Sequence, residues 1–374
     1  MTLRFRPLFS LVLAVLTLAA PVARAEPVDA GPPGVSALLA ELRTLYERAG
    51  AATEAYNATE ERLRDQSERV AELSHELADT RTELAATHEA IGALAREQYR
   101  GGGLVLPAPL RLLLGADPER ELAGAATVAR AADQAAATLE RLESGERHEG
   151  ALAGEARAAL DAQQALARER ERQRDEVTER LDEVEALLVG LSGDELSELG
   201  ALERAETQRA QERLLAGGTL GEDLGRAPSA GGAKALEYAV EQLGKPYEWG
   251  AQGPDSFDCS GLTMQAWTLG AGRGIPRTSQ QQWEELERVE LDALRPGDLV
   301  VYFEDATHVG LYAGDGMVIH APRPGAEVKV SPLAANPPLG AVRPDPGAEP
   351  LSSWTPPHLP AWASEGADGG YDHA

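Results

Sequence analysis

One cysteine in 374 residues leaves no partner for an internal disulfide. Basic residues are scarce as well: 35 Lys and Arg stand against 61 Asp and Glu, a formal charge of −26. A surface this acidic excludes nucleic acid as a partner, because phosphate binding needs a basic face. It also excludes charge alone as a way of holding the chain to an anionic surface. Beyond the first twenty or so residues no long apolar run occurs, so no later segment is a candidate membrane span. A second cysteine or a tightly spaced ligand pair, either of which would support a zinc site, is missing too.

What is present begins with a leader. Arg4 and Arg6 precede the apolar stretch Leu8 to Ala20, and Ala23-Arg24-Ala25 is a small-x-small cleavage site. Residues 1–25 are therefore expected to be a removed signal peptide. No cysteine lies near the site, which argues against lipoprotein processing. The mature chain would be secreted or otherwise extracytoplasmic. In an exported protein an unpaired thiol is either packed away or used.

From Val35 to Arg100 no proline occurs, and apolar residues recur with heptad spacing from Leu38 through Leu42, Leu45, Leu63, Leu73, Leu77, Leu84 and Leu94. Such a register predicts a coiled coil. Thr59, Gln66, Thr80 and Thr87 on the seam weaken it. Gly101-Gly102-Gly103 ends the helix, and the apolar segment 104–116 follows. Asp117-Pro118 reads as an N-cap with proline at the first helical position. A second helical stretch to about Leu215 has weak points at Gly145, Gly150 and Gly154. Leu181, Val184, Leu188 and Leu191 restore a seam. Two long helices with a short connection predict an antiparallel hairpin over 35–215. Its tip is either a docking surface or a small capping lobe.

Residues 216–232 read as a flexible linker. From 233 to 345 the pattern becomes α+β. A helix is expected over Ala233–Leu243, another from Cys259 to about Leu269, and strands over 298–303, 308–312, 317–320 and 327–330. Residues 346–374, rich in Pro, Gly and Ser, are expected to be disordered.

Cys259 follows a run that cannot easily be helical and precedes one that can. This places its sulfur at a helix N-terminus, where unpaired N–H groups favour a thiolate. His308 and His320 fall on neighbouring strands of a tight hairpin, one able to take the thiol proton and the other to orient the first. Read from spacing alone, the cysteine is a nucleophile or an inert core residue, and the histidines are a relay, a satisfied pair or zinc ligands with Cys259. His75, His88, His148, His358 and His373 lie in the stalk and tail.

Six blocks occur in order: Gly244-Lys245-Pro246-Tyr247-Glu248-Trp249-Gly250, Phe257-Asp258-Cys259-Ser260-Gly261-Leu262, Pro276-Arg277-Thr278-Ser279-Gln280, Arg295-Pro296-Gly297-Asp298-Leu299-Val300, His308-Val309-Gly310-Leu311-Tyr312 and Ile319-His320-Ala321. Together they resemble the NlpC-type family of papain-like cell-wall peptidases. The resemblance implies a papain-like α+β domain, with helices packed on a small antiparallel sheet. It implies Cys259 as nucleophile, His308 as base and His320 as orienting residue, with no metal or organic cofactor. The substrate class it implies is the peptidoglycan stem peptide, cut between γ-D-glutamate and a diamino acid. An acyltransferase or amidase on the same scaffold shares this chemistry, and a non-catalytic division factor is a third reading. Tyr247 is similar to a tyrosine of the catalytic cleft, or is a packed aromatic. Asp258, Ser260, Arg277 and Ser279 either contact substrate or make local caps and turns. The stalk resembles the regulatory coiled coils of secreted hydrolases recruited by an FtsEX-type division transporter. That likeness implies a membrane partner, and the long weakened seam joined by a flexible linker predicts a full-length chain less active than its catalytic domain.

Overall fold

A computed structural model describes residues 34–100, 118–221, 226–360 and 362–365. The expected signal peptide, residues 1–25, and the apolar segment 104–116 lie outside the described residues. Helix α1 (Val35–Arg100) and helix α2 (Pro118–Val189) run antiparallel along each other. At 66 residues α1 is about 100 Å long. Leu73 and Leu152 are buried in the seam. Gln66, on the same seam, donates to the Ala159 carbonyl at 2.8 Å, and Gln163 donates to Ser67 Oγ at 2.8 Å. Of the polar seam positions Gln66 thus pairs across the helices, while Thr59 accepts from Arg62 and Thr87 donates to the Glu83 carbonyl within α1. Gly145 is more than a weak point: a Cβ there would lie 2.7 Å from Leu84 Cδ2, so the glycine makes room for that leucine.

The second stretch is not one helix. It breaks after Val189, and helix α3 (Gly193–Ala216) restarts it. Ser192 is the cause: its hydroxyl accepts from Glu195 N while the Glu195 carboxylate accepts from Ser192 N, a reciprocal capping box. Leu38, Leu39 and Leu42 of α1, Val184 and Leu188 of α2 and Leu199 of α3 close a small apolar core at the base of the stalk.

The chain then enters the second unit. Helix α4 (Ala230–Glu241) starts three residues before the expected Ala233, because Ser229 caps it by accepting from Gly232 N. Helix α5 (Cys259–Gln265) continues into a π-helical turn over Ala266–Gly270, and helix α6 (Ser279–Glu285) follows. Strands β1 (Glu287–Val289), β2 (Leu299–Tyr302), β3 (His308–Gly314), β4 (Met317–His320), β5 (Lys329–Pro332) and β6 (Pro338–Arg343) form one antiparallel sheet in the order β1-β6-β2-β3-β4-β5. The α+β class expected from the sequence is what the structure has, with β1 and β6 added. Alternation along the strands divides the core. Leu299, Val301, Val309, Leu311 and Ile319 pack with Leu236, Leu262 and Trp267 of the helices. Val300, Tyr302, Tyr312 and Val318 pack on the other side with Leu333 and Leu220.

Two expectations about connecting segments need correction. The linker read over 216–232 is in part structured: Leu220 is buried against the sheet, and Ser229 pairs with Pro350. The tail from 346 does not begin as disordered chain. Leu351 N donates to Pro228 O at 2.8 Å, Arg295 holds the Ala348 carbonyl at 2.8 Å, and Trp354 and Leu359 pack on the core. A short helix α7 (Trp362–Glu365) buries Ala363. Apolar residues between the prolines supply burial that composition alone did not reveal. No helix among the described residues is long and apolar enough to cross a membrane.

Candidate functional site

Asp258 sets the start of α5. Its extended backbone and its carboxylate, which accepts from Gly261 N at 2.6 Å, make it the N-cap and leave Cys259 as the first helical residue. No side chain fits at 261, where a Cβ would lie 2.3 Å from the Ala251 carbonyl oxygen. The Asp258 carboxylate also forms a two-pronged ion pair with Arg277, at 3.0 and 2.6 Å, and both side chains are shut from solvent. Arg277 donates a further bond to Ser260 Oγ at 2.8 Å. Gln282 of α6 accepts from Thr263 and donates to the Pro276 carbonyl, fastening the Arg277 loop to α5.

His308 opens β3 and His320 closes β4. Their rings meet edge to face, with His308 Nε2 and His320 Nδ1 2.8 Å apart. His320 Nε2 lies 2.9 Å from Ser331 Oγ on β5. Both rings are buried. Burial holds His308 down to about 4, against the pull of the Asp258 charge. Burial holds His320 well below its ordinary value, helped by His308, Lys329 and Arg323. Both imidazoles are therefore neutral at physiological pH. The zinc arrangement with Cys259 as third ligand does not fit, since His320 has both nitrogens engaged.

Cys259 is 4% exposed. Its sulfur takes a hydrogen bond from the Val309 backbone, beside His308. The ionised thiol expected at the head of a helix is not the form favoured here. Burial first, then the Glu54 and Asp258 carboxylates, push the thiol well above its usual range.

What covers the sulfur is the stalk. Glu54 of α1 is 1% exposed, and its Oε1 lies 3.7 Å from Cys259 Sγ. That oxygen accepts from Ser260 Oγ at 2.7 Å, and Oε2 accepts from Ser279 N at 2.7 Å. Thr53 bonds the Tyr247 hydroxyl, and Asn57 Nδ2 donates to Asp258 Oδ2 at 3.1 Å. The Tyr56 ring stands edge-on to Trp249, with 5.1 Å between centroids. Burial first, then the Asp258 charge, raise the Glu54 carboxyl to about 7. Ser260, Arg277 and Ser279 pull it the other way.

All eight candidate residues read from the sequence, Tyr247, Asp258, Cys259, Ser260, Arg277, Ser279, His308 and His320, fall in this one region. Asp258, Arg277 and Ser260 make local caps and pairs, while Ser260 and Ser279 also hold a carboxylate. Thr53, Glu54, Asn57, Gln282 and Ser331 join them without having been expected. Atoms of Glu54, Asp258 and Cys259 converge within 4.8 Å, but the carboxylate oxygens are already taken up by Arg277, Ser260 and Ser279.

The comparisons with known proteins fall on this unit. The family model that matches is the NlpC/P60 family, over residues 244–339. A probable endopeptidase of Corynebacterium glutamicum is 48% identical over 96 residues, 25% of this chain and 46% of that protein. A probable endopeptidase of Mycobacterium tuberculosis is 37% identical over 129 residues, 34% of this chain and 33% of that protein. The chain thus spans less than half the length of these curated relatives. The crystal structure of the NlpC/p60 domain of the peptidoglycan hydrolase SagA is 33% identical, and the match covers 30% of this chain and 97% of that one with a TM-score of 0.29. Residues 244–339, which carry the cysteine, both histidines and the Arg277 loop, are a domain of the NlpC/P60 family.

Proposed function

We propose that this chain is a secreted cysteine endopeptidase that hydrolyses peptidoglycan stem peptides at the γ-D-glutamyl to diamino acid bond, in cell-wall remodelling or daughter-cell separation. One observation carries the reading. The only cysteine heads a capped helix and packs in one core with Val309, the residue that follows His308 of the His308–His320 pair, inside a domain whose relatives are named probable endopeptidases.

His308 Nε2 is engaged with His320, so Nδ1 is the nitrogen that accepts the thiol proton. The thiolate attacks the scissile carbonyl, and backbone N–H groups at the start of α5 stabilise the oxyanion. Collapse breaks the C–N bond, and the leaving amine takes the proton from His308. Water then attacks the thioester and gives a proton to His308, and the second collapse returns that proton to Cys259. No metal or organic cofactor takes part in this scheme.

A γ-linked D-glutamate keeps a free α-carboxylate near the scissile carbonyl. Ser260 Oγ and Ser279 N, with Arg277 behind them, already hold one carboxylate, that of Glu54. Glu54 therefore occupies the place of the substrate, and α1 restrains the enzyme until it withdraws. Tyr247 lines the same spot, and Asp258 supports it as cap and ion-pair partner. An FtsEX-type division transporter acting through the coiled coil is the partner we assign to withdrawal, on the strength of the stalk's resemblance.

The test is digestion of purified wall with product mass spectrometry, using the full chain, Glu54→Ala/Asn57→Ala and Cys259→Ala. The double variant should release γ-D-glutamyl products faster than wild type, and Cys259→Ala should release none. An intact wall after incubation with the folded double variant would overturn the reading. Transfer of the acyl group to an amine instead of water would appear in the same masses and mark an acyltransferase.

A further inference from the structure

Neutral imidazole carries one N–H, so a chain of two imidazoles and a hydroxyl has two polarities. In the first, His308 Nε2–H donates to His320 Nδ1, and His320 Nε2–H donates to Ser331 Oγ. His308 Nδ1 then bears a lone pair and can receive the Cys259 proton. In the second, Ser331 donates to His320 Nε2, His320 Nδ1–H donates to His308 Nε2, and His308 Nδ1 already carries hydrogen. Only the first chain works as a base.

We propose that Ser331 is a positioning residue, the fourth member of the Cys259–His308–His320 set, which accepts from His320 Nε2–H and so fixes the tautomer that leaves His308 Nδ1 free. The proposal rests on the peptidase reading for its consequence, though not for its geometry. The distances are 2.8 Å between the rings and 2.9 Å to the hydroxyl. Ser331 is 4% exposed, and among the described residues its hydroxyl bonds His320 alone. The β4–β5 register sets Val318 opposite Ser331 and His320 opposite Lys329, so Ser331 reaches the ring diagonally from a strand fixed by backbone bonds. Water cannot easily replace the hydroxyl in this buried setting, and a lost acceptor would leave the His320 N–H unpaired. When His308 becomes imidazolium, the first polarity also points both successive bonds away from the new charge. The proton travels only from Sγ to His308 Nδ1, while His320 and Ser331 keep theirs.

The experiment uses full-length protein labelled with 15N-histidine, in which two-bond 15N–1H correlations report the tautomer of each ring. Wild type should show His320 and His308 protonated at Nε2 alone. Ser331→Ala adds no atom, so packing admits it, and it should shift His320 to a mixture or to Nδ1–H. Ser331→Thr, which restores a hydroxyl, should return the wild-type pattern. In a Glu54→Ala/Asn57→Ala background, Ser331→Ala should lower kcat on a soluble stem peptide about tenfold with KM nearly unchanged. That is less than the hundredfold or more expected from loss of the base itself. A His320 pattern in Ser331→Ala identical to wild type overturns the proposal, whatever the activity. A changed pattern with no stem-peptide cleavage in any variant supports the tautomer role and removes the substrate assignment instead.

Discussion

Exchange of Glu54 for glutamine tests whether the stalk closes the site through a titrating carboxyl. The docked carboxyl sits at about 7, against 4.5 for the free group. Its neighbours are Asp258 at the cap of α5, Cys259 and Ser260 in its first turn, Arg277 and Ser279 N from the loop and head of α6, and Tyr247. The docked value is raised, so docking is strongest below about 4.5 and weakens as pH climbs through 7. The full swing is about 3 kcal/mol, or a few hundredfold in the undocked fraction. The side-chain amide of the Glu54→Gln variant cannot ionise, so its undocked fraction should stay flat. Cys259 is the sole cysteine, so alkylation by iodoacetamide reads one sulfur. Taking the ratio of wild-type to Glu54→Gln rates cancels the thiol's own ionisation once undocked. The ratio should rise by at least tenfold between pH 5 and pH 7.5 and then level off. Parallel profiles across that range would refute the reasoning, because the carboxyl would then be titrating alike in both states.

Other contacts lead to outcomes of their own. Cys259→Ala should abolish wall digestion while leaving the Tm within a few degrees of wild type by calorimetry, since a small buried side chain is replaced by one slightly smaller. Arg277→Leu should cost about 3–5 kcal/mol in chemical denaturation, because Asp258 would be left charged and buried without its partner. Thr53→Ala/Asn57→Ala should speed Cys259 alkylation at neutral pH several-fold, since the bonds to Tyr247 and Asp258 exist only in the docked form. Equal rates would show that these contacts contribute nothing to closure.

Four of the six sheet strands and the helix beginning at Cys259 were legible because each follows from local patterns, whereas the gathering of Tyr247, Asp258, Ser260, Arg277 and Ser279 around Cys259 was implied by the six-block resemblance. Alternation marks a strand, and the run Gly253–Asp258 ahead of an apolar stretch marks a helix start. The docked face of α1 was harder to read. Between Leu45 and Leu63 the seam holds Ala49, Ala52, Tyr56 and Thr59, which looks like a weakened coiled coil. The same stretch buries Thr53, Glu54, Asn57 and Thr59. That absence of leucine was the available signal, but it does not say what the helix meets. Ser331 had no signal, because a serine in a strand is ordinary and its value comes from a diagonal neighbour. The tail departs from its composition for a related reason: prolines and glycines dominate the count, while Trp354, Leu359 and Ala363 supply the packing.

Glu54 is covalently tethered to the thiol it covers, about 200 residues away along one backbone. A tethered occupant holds an effective concentration near its site that does not fall when the molecules are spread thin. Dilution therefore leaves the site closed, and a diffusible ligand must outcompete a rival that never leaves. Switching on such a molecule calls for something that acts on the helix itself: a pull, a cut or a change of charge.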